Sequence, residues 1–327
     1  MLSDRRQFVS SAVMAGTGLG LNCCAPATAV AGPGGGPESE RTNVIKYCLN
    51  TSTIREPKLG IEKEVDIAAA AGYDSIEPWI PNLKEYVSAG GKLPDLRKRI
   101  SDAGLTVESA IGFAQWIVDD EGRRKEALEE SKRDMDMLKE IGGIRIAAPP
   151  VGAHQGDSPK IDLMVVSDRF RALLDVGDQT GVVPQLEVWG FSKNLSRLGE
   201  VMYVVGETGH PKACLLLDIY HIFKGGSDFT GLNLLSDHAL QVFHVNDYPA
   251  SPLREEMSDA HRVYPGDGIA PMSKILNAIA GGSQNIVLSL ELFNREYWKQ
   301  DPLEVARTGL AKMRATVEKA ATAEVGG

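Results

Sequence analysis

Four side chains with metal-binding chemistry recur at one kind of place in this 327-residue chain, the polar end of a short apolar run. Pro-Gln-Leu-Glu-Val ends near Glu187, Leu-Leu-Leu-Asp ends at Asp218, Val-Phe-His-Val carries His244, and Leu-Ser-Leu-Glu closes with Glu291. A carboxylate directly after an apolar strand is costly to bury alone. Three carboxylates and one imidazole around a single dication compensate one another, so the set reads as one divalent-metal site. Mostly oxygen ligation with one nitrogen favours Mn²⁺, with Mg²⁺, Co²⁺ and Zn²⁺ as alternatives.

Further candidates surround that set. His221 follows Asp218 closely enough to face a bound substrate oxygen. Arg262, within Asp259-Ala-His261-Arg262-Val-Tyr-Pro-Gly-Asp-Gly268, is a donor for an anionic or hydroxylated substrate. The Pro-Gly-Asp-Gly stretch reads as a tight turn, which makes Asp267 a turn residue. Glu77 ends another apolar run and reads as pocket rim or as support behind the site, with Trp79 just after it. Trp116 and Trp189 could stack on a sugar face or pack in the core, and His154 belongs to a loop that could line the pocket.

Side chains at strand ends converge only in a fold that gathers those ends. Eight short apolar or β-branched runs read as strands: Val44–Leu49, Ser75–Glu77, Val107–Ile111, Arg145–Ala148, Pro184–Val188, Cys214–Leu217, Gln241–Val245 and Ile286–Leu290. Helical patterns alternate with them over Ile61–Ala71, Pro94–Ala103, Arg123–Ile141, Lys160–Thr180, Leu195–Thr208, Pro271–Ala280 and Pro302–Ala320, with a weak signal near Leu232–Leu235. Pro94 and Pro271 suit a first helical position, where a missing N–H costs nothing. Strand–helix alternation argues for parallel pairing with right-handed crossovers, and eight units in one domain predict an α/β (β/α)₈ barrel. Asn50-Thr51-Ser52 follows the first strand, so no glycine-rich dinucleotide turn is present there.

The N-terminus differs in kind. Arg5-Arg6 precedes a weakly apolar, small-residue run from Ser10 to Leu21, and Ala29-Val30-Ala31 offers a cleavage site. Residues 1–31 therefore read as a twin-arginine export signal, 32–42 as a Gly/Pro-rich linker, and 43–327 as the barrel. That assignment implies a periplasmic enzyme folded, and loaded with metal, before export. Leu21-Asn22 before Cys23 and Cys24 fits a lipoprotein box badly. Cys48 and Cys214 lie in expected strands, and a disulfide between them stays open. A net charge of -9 disfavours polyphosphate, so nucleic acid is not an expected partner. No later stretch has the length and apolarity of a membrane span, and a homo-oligomer stays open.

The pattern resembles the xylose isomerase-like TIM-barrel superfamily, in its sugar phosphate isomerase/epimerase branch. The likeness covers nearly all of the chain after the signal. It is carried by Tyr-Asp-Ser-Ile-Glu77, Leu-Glu187, Leu-Asp218-x-x-His221, His244-Val-Asn-Asp247, Arg262-Val-x-Pro-Gly-Asp-Gly and Leu-Glu291. The resemblance implies a metal on Glu187, Asp218, His244 and Glu291, with the two glutamates also acting as acid and base. His221 and Arg262 would contact substrate oxygens, and Glu77, Trp116 and Asp247 join the expected substrate-facing set. Where many such epimerases carry an arginine shortly after the seventh-strand histidine, this chain has Ala250, leaving Arg254 or Arg262 for that task.

The chemistry so implied is proton transfer next to a carbonyl of a sugar or keto-sugar, through a metal-stabilised enediolate. Loss of a β-substituent would instead make a dehydratase or lyase acting on a keto-sugar or inosose. Asp259-Ala-His261 also suits an endonuclease IV-like phosphodiesterase, which the acidic balance and the Trp79, Phe113 and Gln115 strand exits oppose. A non-catalytic carbohydrate-binding protein is the remaining alternative.

Overall fold

The computed structural model describes residues 44–56, 58–280 and 285–324, so the expected export signal and linker lie outside the described residues. Among the described residues eight parallel strands are present: β1 Val44–Asn50, β2 Ser75–Glu77, β3 Thr106–Val107, β4 Arg145–Ala148, β5 Val183–Glu187, β6 Leu215–Asp218, β7 Leu240–Val245 and β8 Asn285–Leu290. Their order is β3-β2-β1-β8-β7-β6-β5-β4. The outer strands meet where Ala147 N donates to the carbonyl of Ala110, at 2.8 Å, just beyond β3. The sheet thus curls into the expected (β/α)₈ barrel.

The helices are α1 Ile61–Ala71, α2 Ile80–Ser88, α3 Leu93–Asp102, α4 Glu121–Glu140, α5 Leu163–Thr180, α6 Leu198–Glu207, α7 Ile219–Lys224, α8 Met272–Ala280 and α9 Pro302–Glu324. Two of them, α2 and α7, were not expected from sequence. The weak helical signal near Leu232–Leu235 is a 3₁₀ turn, Phe229–Leu234. No helix of the described residues is long and apolar enough to cross a membrane.

The two-residue period of a strand sorts side chains between two cores. Leu49, Ile76, Ile146, Leu186, Leu217, Phe243 and Leu288 pack outward in the large core with the helices. Their neighbours Cys48, Ala147, Leu216, Val242 and Val287 form a small apolar plug, with Ile111, inside the barrel. One inward step further along each strand come Asn50, Glu77, Glu187, Asp218, His244 and, on β8, Ser289 and then Glu291. All are buried. Registers Asn50↔Glu77, Asp218↔His244 and His244↔Ser289 hold these polar groups in one layer above the plug. Cys48 and Cys214 are both free, so the open disulfide does not form.

Candidate metal centre

The structure brings one ligand atom each of Asp218, His244 and Glu291 within 4.8 Å of one another, all three side chains buried. Glu187, expected as a fourth ligand, stands outside that triple. It is close enough that burial and then the charge of Glu291 push its carboxyl up to about 8, opposed only in part by His244 and a hydrogen bond from the Trp189 side chain. Its Oε2 is buried with no hydrogen-bond partner.

Each member of the triple is oriented from behind. His244 Nε2 pairs with Glu77 Oε2 at 3.0 Å, which leaves Nδ1 facing Glu291 Oε2 at 3.2 Å without the alignment of a hydrogen bond. A carboxylate behind one imidazole nitrogen, with the other nitrogen facing a cluster of acids, is how metal-ligating histidines are held. Burial works against the charged His244 ring, but Glu291 and Glu77 overcome it and raise its pKa well above the usual value. Asn50 Nδ2 donates to Glu77 Oε2 at 2.9 Å and to Glu291 Oε1 at 3.2 Å, and Ser289 Oγ donates to Glu77 Oε2 at 2.7 Å. Asp218 Oδ1 accepts from His221 N at 2.7 Å, capping α7, while Asn246 Nδ2 donates to Oδ2 at 2.6 Å.

Arg262 lies fully buried against the same acids. Its NH1 donates to Glu291 Oε2 at 2.8 Å and Asp218 Oδ2 at 3.1 Å. NH2 reaches His221 Nε2 at 3.0 Å and also bonds Asp259 Oδ1. Because guanidinium has no acceptor, His221 Nε2 must accept, so the ring proton sits on Nδ1, which is buried without a partner. Burial and Arg262 both lower the His221 pKa, keeping the ring neutral. Burial opposes ionised Glu291, but His244 and Arg262 hold its carboxyl far below the usual range.

These contacts fit a divalent ion. Four buried acids (Glu77, Glu187, Asp218 and Glu291), with half-buried Asp259 at their edge, crowd the Arg262 guanidinium and the His244 ring. Buried carboxylates in such excess call for added positive charge, and the unpartnered Glu187 Oε2 and His244 Nδ1 are the atoms such an ion would take. Glu187, Asp218, His244 and Glu291 would then hold it.

Three residues expected at the substrate are placed otherwise. Trp116 is 2% exposed, packs tilted against Phe170 with ring centres 5.7 Å apart and donates to the Pro149 carbonyl at 2.9 Å, so it belongs to the core. Asp247 spends both carboxylate oxygens on backbone N–H groups of Tyr248, Gly266, Gly268 and Ala270, at 2.7 to 3.0 Å. It clamps the Pro-Gly-Asp-Gly turn, where a Cβ on Gly268 would come within 2.2 Å of the Tyr248 carbonyl oxygen. Glu77 is wholly buried behind His244, out of a substrate's reach. Asp267 pairs with Lys312, as a turn residue can. His261 bonds Ser258 and Asp259 bonds Arg262, so neither joins the acid cluster as a ligand pair. Arg254 pairs with neighbouring Glu255 at the surface. Asn50 escaped the sequence reading, although it too ends an apolar strand on the inward face.

Fold and site together define a (β/α)₈ barrel with a divalent-metal centre at its strand ends. The chain belongs to the xylose isomerase-like TIM-barrel family, whose model matches residues 65–316. It is 24% identical to an inosose isomerase of Bacillus velezensis over 277 residues, covering 84% of this chain and 98% of that one. It is 25% identical to a 3-dehydro-D-guloside 4-epimerase of Escherichia coli over 236 residues, 68% of this chain and 84% of that one. Among solved structures, an IOLI protein with a bound zinc atom superposes with a TM-score of 0.77 at 24% identity, covering 84% of this chain and 99% of that one.

Proposed function

We propose that this chain is a divalent-metal-dependent isomerase or epimerase that moves a proton next to the carbonyl of an unphosphorylated keto-sugar or inosose. The observation that carries this reading is the gathering of Asp218, His244 and Glu291 in one buried centre with a second glutamate, Glu187, beside it. Glu187 Oε2 is buried with no hydrogen-bond partner, and Glu291 Oε2 accepts from Arg262 at 2.8 Å and faces His244 Nδ1 at 3.2 Å. One of Glu187 and Glu291 takes the proton as base and the other returns one as acid. A bound divalent ion, which we take to be Mn²⁺ from the oxygen-rich donor set, would act as Lewis acid toward the oxygens on the carbons between which the proton moves.

The chain's own groups do the rest. His221 Nδ1–H, free and buried, donates to a substrate oxygen, and Arg262 holds that ring in the required tautomer. Arg262 also keeps Glu291 ionised and aimed inward. The excess of acids favours a polyhydroxy ketone over a phosphate ester. Relatives named for inosose and for 3-dehydro-guloside chemistry support the same class. The twin-arginine pattern at Arg5-Arg6 supports a periplasmic location for the reaction.

The test is proton exchange. Metal-loaded protein incubated in D₂O with a panel of keto-sugars and inososes should incorporate deuterium at the carbon next to the carbonyl, read by NMR. Glu187→Gln and Glu291→Gln should each lower that rate about 10²- to 10⁴-fold. Absence of exchange with every substrate offered would refute the assignment.

A further inference from the structure

The loop after β5 carries more aromatic surface than proton transfer requires. Phe191 is 44% exposed, yet it sits in a ring cluster rather than alone. Its ring lies 5.3 Å from Trp189, 5.6 Å from His221 and 6.5 Å from His154. Trp189 in turn hydrogen-bonds Glu187, and His221 touches Arg262, so this wall adjoins the acid centre through two of its rings.

The loop is held rigidly. Trp189 N donates to Leu195 O at 3.1 Å, Lys193 N to His154 O at 3.0 Å, and Ser192 N to Trp189 O at 2.8 Å. Asn194, buried, accepts from Ile161 N at 2.9 Å and donates to Ala153 O at 2.8 Å and Pro159 O at 2.9 Å. Leu195 is forced to a φ of 57° to close the turn. A Cβ on Gly190 would lie 2.2 Å from the His221 carbonyl oxygen, so only glycine lets the loop press onto α7. A large apolar side chain kept in water by that many constraints is a surface built for contact.

We propose that Phe191, backed by Trp189 and His154, is a subsite for the apolar face of a second ring joined to the reacting sugar through its anomeric oxygen. The substrate class would then be a keto-glycoside and not a free monosaccharide. This deepens the reading above and rests on it. A ring that stacks offers its C–H face to Phe191, while the adjoining His154–Gln155 pair, joined at 2.7 Å, presents polar groups for its hydroxyls. The second ring is a sugar or an aryl group; both share the face that Phe191 takes.

Calorimetric titration of the full chain loaded with Mn²⁺ separates these cases, using methyl β-D-glucoside, cellobiose and phenyl β-D-glucoside. At least one two-ring probe should bind about fivefold or more tighter than the methyl glucoside. Tighter cellobiose points to a sugar and tighter phenyl glucoside to an aryl group. Phe191→Ala should bring that ratio close to one, and Phe191→Trp should preserve it. Equal affinities in the wild type, no detectable binding of either two-ring probe, or a ratio that survives Phe191→Ala would overturn the subsite. Proton exchange is read separately: the ratio without exchange sinks the catalytic reading alone, and exchange without the ratio sinks the subsite alone.

Discussion

Replacing Arg262 by Met tests whether the acid cluster is short of positive charge. In the wild type, NH1 lies 2.8 Å from Glu291 and 3.1 Å from Asp218, and NH2 serves His221 and Asp259. The guanidinium also lies 4.7 Å from the Tyr220 ring centre and 5.0 Å from that of Phe293, so a Met side chain would find apolar neighbours. What the variant loses is the countercharge of buried carboxylates. Breaking a buried ion pair from one side costs about 3–5 kcal/mol, which in a domain of this size lowers Tm by roughly 6–20 °C. That loss should be largest in metal-free protein. A dication neutralises the same oxygens, so Mn²⁺ should raise the Tm of Arg262→Met more than that of the wild type. Scanning calorimetry of both proteins, with chelator and with saturating Mn²⁺, gives the four values needed. Equal metal-free stability, or identical increments on adding metal, would refute the charge argument, and no increment in either protein would refute the metal centre.

Glu64 is 2% exposed, and burial pushes its carboxyl up to about 7 from 4.5 despite hydrogen bonds from Asn82 and Thr51. Between those values the unfolded chain has lost the proton that the folded chain keeps, so stability falls as pH rises through that window and stays low above it. Glu64→Gln should remove the slope and gain about 3 kcal/mol at pH 8, with no gain near pH 4, in urea titrations. Glu77→Gln should weaken divalent-ion affinity about 10- to 100-fold by removing the charge behind His244, as calorimetric titration would show; unchanged affinity would make Glu77 a packing residue. Lys-Lys in place of Arg5-Arg6 should leave the chain in the cytoplasm, read by fractionation and immunoblot, and continued export would dismiss the twin-arginine assignment.

Two helices eluded sequence reasoning for identifiable reasons. Helix α7 starts on the residue after Asp218, and that same aspartate caps it through His221 N, so a strand end and a helix start share one polar signal. Helix α2 begins directly after the short strand β2 and Trp79, with Pro81 in its first turn. Both helices are short, and periodicity needs length to register.

What the chain alone determined is local. Apolar runs of strand length, alternating with amphipathic segments, specify eight parallel units, and a polar residue at the end of four runs marks where chemistry gathers. Closure of the barrel decided everything that depends on distant partners. Glu77 and His244 are 167 residues apart in sequence and Asn50 and Glu291 are 241 apart, yet each pair is in hydrogen-bond contact. The same closure drew Trp116 into the core and turned Asp247 onto a loop backbone, although their residue types suited a binding site equally well. A side chain's type limits what it can bind, but only the neighbours that folding supplies determine what it does bind.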